Sequence, residues 1–351
     1  METRKRLPEL SYLNLTFCIL VILIHVLSEP VGTLDKSSLQ YFAVMIPFRL
    51  SAFVVQGFIF LSGLKLCLGG RDKIYAPALW CRRLKSVVVP YLIWVLLYYC
   101  YFVGIGYFPF SFKELFRYAV VGDLVAPFYF IITIVQFYLL APIFVKLTSG
   151  KHTKLFLVLS LVINLIFWIY LPTLLRVTGI CENFRYNDRV FTTYLIYFAA
   201  GCIAGQKYDK LCAVIRRVSA LMFTAFPLIA AGDIILYCNA AKVGGTVCEI
   251  YHMVYSLAAI LFFTALYLKL TDKRKSMPKI LSSADKATFP VYLCHCLFIF
   301  ILNSEFNKYG INDIGIRLVL RFVIVYIVSF GGAILWQWVK NKIDSTAKLK
   351  Y

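Results

Sequence analysis

Residues 10–30 read LSYLNLTFCILVILIHVLSEP, an apolar run with a histidine inside it. A membrane-crossing helix needs roughly 20 mostly apolar residues at about 1.5 Å each, and this run meets that length. Arg4, Lys5 and Arg6 precede it, so the first helix is expected to enter from the cytoplasmic side. His25 then falls about 22 Å along a hydrocarbon core about 30 Å thick. An ionisable side chain at that depth is costly, faces a partner or a cavity, and marks a functional site by default. Glu29 lies one helical turn further on and shares the face of His25, where it is placed to accept a ring proton and orient the imidazole as a base. Asn14, eleven residues back, returns to nearly the same azimuth, which gives the helix one polar seam. Pro30 is expected to close the helix.

This run is not isolated. About ten such segments can be marked, near residues 10–30, 41–68, 86–108, 127–148, 155–175, 190–206, 218–238, 248–268, 287–303 and 316–339. Composition agrees: 61% of residues are hydrophobic and 15% charged, against about 25% charged for a soluble domain. The expected fold is an all-α polytopic membrane bundle of about ten helices. Most of the 37 Lys and Arg residues fall in the segments assigned inside, so both termini are expected in the cytoplasm. The formal charge of +20 comes from short clusters between apolar runs rather than one patch, which argues against nucleic-acid binding. No interhelical segment is long enough for a soluble core, so residues 1–351 are expected to form a single integral membrane domain. Residues 110–121 carry apolar positions at helical spacing and suit a helix lying along the outer membrane surface.

Eleven cysteines are scattered without a CxxC pair, so no disulfide framework is expected. Cys294-His295-Cys296 suggests a metal, but sequence neighbours point to different sides of a helix, and no metal site is expected there.

Further polar residues inside the apolar runs extend the candidate site. Arg49, at a depth comparable with His25, suits an anionic substrate group, a developing negative charge or an ion pair with Glu29. Ser62 with Gly63 offers either close helix packing or room for a ligand. Arg82, Arg83 and Lys85 cluster beside the inner face, where they suit phosphates or act as a topology anchor. Gln136 and Tyr138 either line a cavity or bond to a neighbouring helix. Asp233, Glu249 and His252 lie near the outer ends of their runs, and His295 sits in mid-membrane.

Taken together, these residues resemble the membrane-bound acyltransferase family 3, integral membrane O-acyltransferases that modify cell-surface glycans. The likeness rests on His25 in the first run, Phe60-Leu61-Ser62-Gly63 ending the second, and Arg83 seven residues before Pro90-Tyr91. It rests also on Phe128-Tyr129-Phe130 with Gln136-Phe137-Tyr138 and Pro142, and on Tyr292-Leu293 with His295. In that family the histidine typically follows eleven residues after an arginine; here that place is Asn14. The resemblance implies transfer of an acyl group, most simply acetyl, from cytoplasmic acyl-CoA as co-substrate to a hydroxyl of an extracytoplasmic sugar, with no bound cofactor. In this reading His25 and Glu29 are catalytic. Arg49, Ser62, Gln136, Tyr138, His252 and His295 bind substrate or transition state, and Asn14, Arg82, Arg83 and Lys85 hold the donor, which reaches His25 through a channel beside the first helix. The competing class is a polysaccharide or small-solute transporter, in which buried charges line a permeation route and no bond is changed.

Overall fold

A computed structural model describes residues 7–68, 77–179, 186–273 and 276–348. Arg4, Lys5 and Arg6 lie outside the described residues, as do residues 69–76. The chain is helical, with no strand among the described residues. In order the helices are α1 (Pro8–Thr33), α2 (Leu39–Ser51), α3 (Val54–Cys67), α4 (Pro77–Gly104) and α5 (Phe112–Val121). Next come α6 (Tyr129–Leu139), α7 (Ala141–Ser149), α8 (Thr153–Leu165), α9 (Leu171–Val177) and α10 (Leu195–Gln206). The remainder are α11 (Tyr208–Cys238), α12 (Ala240–Val243), α13 (Gly245–Lys273), α14 (Lys279–Lys308) and α15 (Ile314–Lys348).

Among the described residues, eight helices are long and apolar enough to cross a membrane, or nine if one bent pair counts as a span. Eight of the ten expected runs have a counterpart in this set, and two do not. The run 127–148 breaks at Leu140, because Pro142 in the first turn of α7 has no N–H to donate to the carbonyl a turn back. The upper part of that run, Ala126–Leu139, instead forms the bent pair with α5, turned by 56°. The run 190–206 yields a 3-10 turn, Phe191–Tyr194, followed by the 12-residue α10, whose α-helical part is about 18 Å long. A second correction concerns Pro30, which sits inside α1 and does not end it. The helix continues to Thr33, and the chain then turns through Asp35, whose carboxylate accepts from Ser37, to Ser38, whose hydroxyl accepts from Tyr41 N and starts α2.

Two compact units divide the chain: residues 1–54 with 266–351, and residues 55–265. In the first, α1 packs against α2, α14 and α15, and α14 packs on α15. Its core includes Phe17 and Ile22 from α1, Met45 from α2 and Val291 from α14, each fully buried.

In the second unit, α3 and α10 cross at glycine. A Cβ on Gly201 would lie 2.1 Å from the Phe60 carbonyl oxygen, and one on Gly63 would lie 2.5 Å from that of Phe198. Of the two uses open to the Ser62-Gly63 pair, Gly63 therefore serves close packing. Beside this crossing, Phe137 stacks on Phe198 at 4.3 Å, with Phe144 and Phe191 around them. Helix α5 is amphipathic: Phe112, Phe116 and Val120 are exposed along one stripe, while Arg117 bonds to Glu114 and Asp123 off it. Gly122 ends α5 with φ 71°. That left-handed conformation favours glycine, and here a Cβ would also press on the Phe128 carbonyl.

Candidate active site

Within the first unit, α1 presents Asn14, Cys18, His25 and Glu29, and α14 presents Asp285, Thr288 and His295. Both sets recur at helical spacing, so two polar seams face one another. Asn14 donates through Nδ2 to Asp285 Oδ1 and to Thr288 Oγ1, each at 2.8 Å. Cys18 Sγ reaches the Thr288 carbonyl at 3.5 Å.

Two turns beyond Cys18, the His25 and His295 rings lie 5.1 Å apart between centroids, tilted by 44°. His295 is fully buried and His25 half-buried. The Nδ1 of His295 lies 3.2 Å from the Val291 carbonyl oxygen, which can only accept. That contact places the ring proton on Nδ1 and the lone pair on Nε2. Cys296 Sγ lies 3.4 Å from this Nε2. One coordinating atom each from His25, His295 and Cys296 falls within 4.8 Å of the others. The three neighbours 294–296 do not converge as a set, as helical phase requires: the third atom comes from His25 on α1 and not from Cys294.

Glu29 is not the partner of His25. Its carboxylate pairs with Arg317 at 3.2 Å and with Arg321, both on α15. Helical spacing puts Glu29 on the His25 face, but the longer carboxylate arm turns toward two full positive charges. Arg321 is buried, donates to Asn303 Oδ1 at 2.7 Å and lies over the Phe306 ring. Arg317 donates to Asn307 Oδ1, also at 2.7 Å. Two guanidiniums share one carboxylate, leaving one excess positive charge a helical turn, about 6 Å, along α1 from His25. Arg49 is buried in the last turn of α2.

Within the second unit, His252 and Asp233 form a buried pair, with His252 Nδ1 3.1 Å from each carboxylate oxygen. A small cavity of about 20 Å³ beside His252 is lined by Glu249, Gln56, Asn164, Trp168 and Tyr197 among others. Gln136 does not line it. Its amide nitrogen donates to the Arg189 carbonyl at 2.6 Å, and its oxygen accepts from Phe191 N at 3.1 Å. Gln136 thereby ties α6 to the segment 187–191, the structural one of its two expected uses. Tyr138 and Ser62 are half-buried. Arg82 and Lys85 are exposed at the start of α4, and Arg83 makes a long contact, 3.5 Å, to the Lys65 carbonyl. Beside the Gln136 contacts, burial raises the Asp188 carboxyl above its usual range, opposed by Arg189, which it contacts.

Arg317 and Arg321, at the start of the last apolar run, and Asp285 and Thr288 on α14 are not among the residues that the sequence singles out for the site. The signal was available for the first pair: two arginines four apart in an apolar run need an anion.

Long apolar helices carrying an imidazole pair, an ion cluster and an amide–carboxylate contact define a multi-pass membrane protein with a polar site inside its helical core. A family model described as Acyltransferase domain matches residues 7–338, nearly the whole chain, and the chain belongs to that family of membrane acyltransferases. Among named relatives, a Bacillus subtilis (strain 168) protein with the provisional name membrane-bound acyltransferase YfiQ is 23% identical over 346 residues, covering 96% of this chain and 92% of that protein. A Staphylococcus aureus (strain MSSA476) protein with the provisional name poly-beta-1,6-N-acetyl-D-glucosamine export protein is 23% identical over 335 residues, covering 92% of this chain and 89% of its own. No solved structure matches.

Proposed function

We propose that the chain transfers an acyl group, most simply acetyl, from cytoplasmic acyl-CoA to a hydroxyl of an extracytoplasmic polysaccharide or its lipid-linked precursor, with both termini in the cytoplasm. The observation that carries the proposal is the half-buried His25 set against buried His295, beside a cluster with excess positive charge. In this reading His25 accepts the acceptor's hydroxyl proton as that oxygen attacks the thioester carbonyl. The excess charge of Arg317 and Arg321 over Glu29 stabilises the oxyanion, a role also open to Arg49. The C–S bond then breaks, and His25 returns the proton to the leaving thiolate. Glu29 acts by holding the two arginines rather than by orienting His25. Arg82, Arg83 and Lys85 are assigned to the donor phosphates, and His252 to acceptor binding. The name of the Staphylococcus relative makes an N-acetylglucosamine polymer the first acceptor to try.

Membrane vesicles holding wild type or His25→Ala at equal expression, given acyl-labelled CoA and acceptor, test the proposal. Labelled acceptor and free CoA should form with wild type only, and equal labelling by both would remove His25 from the chemistry.

The export name carried by the same relative favours a second reading, movement of polysaccharide without a change of covalent structure. Translocation of unmodified polymer into vesicles lacking any acyl donor, with no CoA released when donor is added, would establish that reading in place of the first.

A further inference from the structure

We propose that His25, His295 and Cys296 form a binding site for one soft divalent cation, with Zn²⁺ the best match. Two imidazoles and a thiol are the donor set that zinc and its neighbours in the first transition row take from proteins. The three coordinating atoms already lie within 4.8 Å of one another. In a tetrahedral zinc site such atoms stand about 3.5 Å apart, against an upper bound of 4.8 Å here. Cys296 Sγ and His295 Nε2 are at that spacing now, 3.4 Å.

The surroundings prepare the imidazole for a metal. A metal-binding histidine commonly donates its second ring N–H to a carbonyl or carboxylate, which fixes the tautomer and turns the lone pair toward the ion. His295 does this through Nδ1 to the Val291 carbonyl. His295 and Cys296 are buried, while His25 remains half-buried. Three protein ligands leave a fourth coordination position, the pattern of a site that exchanges a water or another ligand rather than a closed structural one. Binding deprotonates Cys296: the thiol proton passes to solvent as the metal–sulfur bond forms. The inference does not rest on the acyl-transfer reading, but the two compete for His25: the metal-loaded form is not the form that transfers acyl groups. An ion held there engages the His25 lone pair that proton transfer would require.

The test uses full-length protein in detergent, freed of any polyhistidine tag and titrated with Co²⁺ as a spectroscopic stand-in and with Zn²⁺ against a chromophoric chelator. One equivalent of Co²⁺ should produce both the intense visible bands of a tetrahedral centre and a thiolate-to-metal charge-transfer band in wild type. Cys296→Ser should lose the charge-transfer band, His295→Gln should weaken Zn²⁺ binding at least tenfold, and Cys294→Ser should match wild type. Elution volume in gel filtration checks that each variant is folded. Absence of the thiolate band in wild type, or an affinity unchanged in both ligand variants, would overturn the site without bearing on acyl transfer.

Discussion

His25 and His295 lie 270 residues apart in sequence, yet their rings sit 5.1 Å apart between centroids, the one half-buried and the other fully buried. An imidazole beside a second imidazole whose tautomer is set by a backbone carbonyl differs chemically from one oriented by a carboxylate. Among the described residues no carboxylate is bonded to His25, so its orientation is set by packing against His295.

The consequence for activity is direct. His25→Ala should lower acyl transfer by about 10²–10⁴-fold. His295→Gln should lower turnover while leaving the KM for donor nearly unchanged. Initial rates at varied acyl-CoA separate the two effects, and an unchanged turnover in His295→Gln would remove the ring pair from the chemistry.

Glu29 answers to a different measurement. Because it neutralises one of two guanidiniums on α15, of which Arg321 is buried, Glu29→Gln should destabilise the fold. Its carboxylate is partly exposed, so the loss is on the order of 2 kcal/mol rather than the larger figure for a fully buried pair. Thermal unfolding in detergent should register a lower midpoint, and adding Arg321→Met should recover part of it. A midpoint equal to wild type in Glu29→Gln would show that the cluster does not support the fold.

Gly201 is expected to tolerate nothing larger. A Cβ placed 2.1 Å from the Phe60 carbonyl oxygen must push α3 and α10 apart, at a cost of about 1–3 kcal/mol. Gly201→Ala should therefore unfold earlier than wild type, whereas Gly331→Ala, where a Cβ meets nothing within 4 Å, should not.

Gln136 and His252 offer a contrast between a structural amide and a residue on a cavity. Gln136→Leu removes the bonds to residues 189 and 191, so limited proteolysis should cut that segment faster while the acceptor KM stays put. His252→Gln should raise the acceptor KM with little change in proteolysis. The opposite pattern would reverse the two assignments.

The membrane class and eight of its helices were legible in the sequence because twenty apolar residues in a row have few other uses. The two failures were local. Pro142 breaks a run that hydropathy averages over, and α10 is apolar yet too short, since a buried helix and a membrane-spanning one share composition. The family was legible from His25 and the short motifs around it. Pairings were not: Asn14 with Asp285, His25 with His295 and Glu29 with Arg317 each join residues more than 250 positions apart. Helical phase says which face a side chain occupies but not which helix meets it. The sequence assigned Glu29 to His25 because both were on one face, and that local logic has no means of weighing two arginines arriving from α15.

The division of the chain has a consequence for its synthesis. Residues 55–265 interrupt a unit whose first and last parts hold each other through the seam of α1. At about 5–20 residues per second, a ribosome takes tens of seconds to pass from His25 to His295. Throughout that interval the amide of Asn14, the imidazole and the carboxylate of the first helix have none of their final partners, in surroundings that penalise bare polar groups. The newborn helix must wait beside the insertion machinery or at the lipid headgroups until α14 and α15 emerge. Truncation before residue 279 should accordingly leave an amino-terminal segment that the cell's quality-control proteases recognise first.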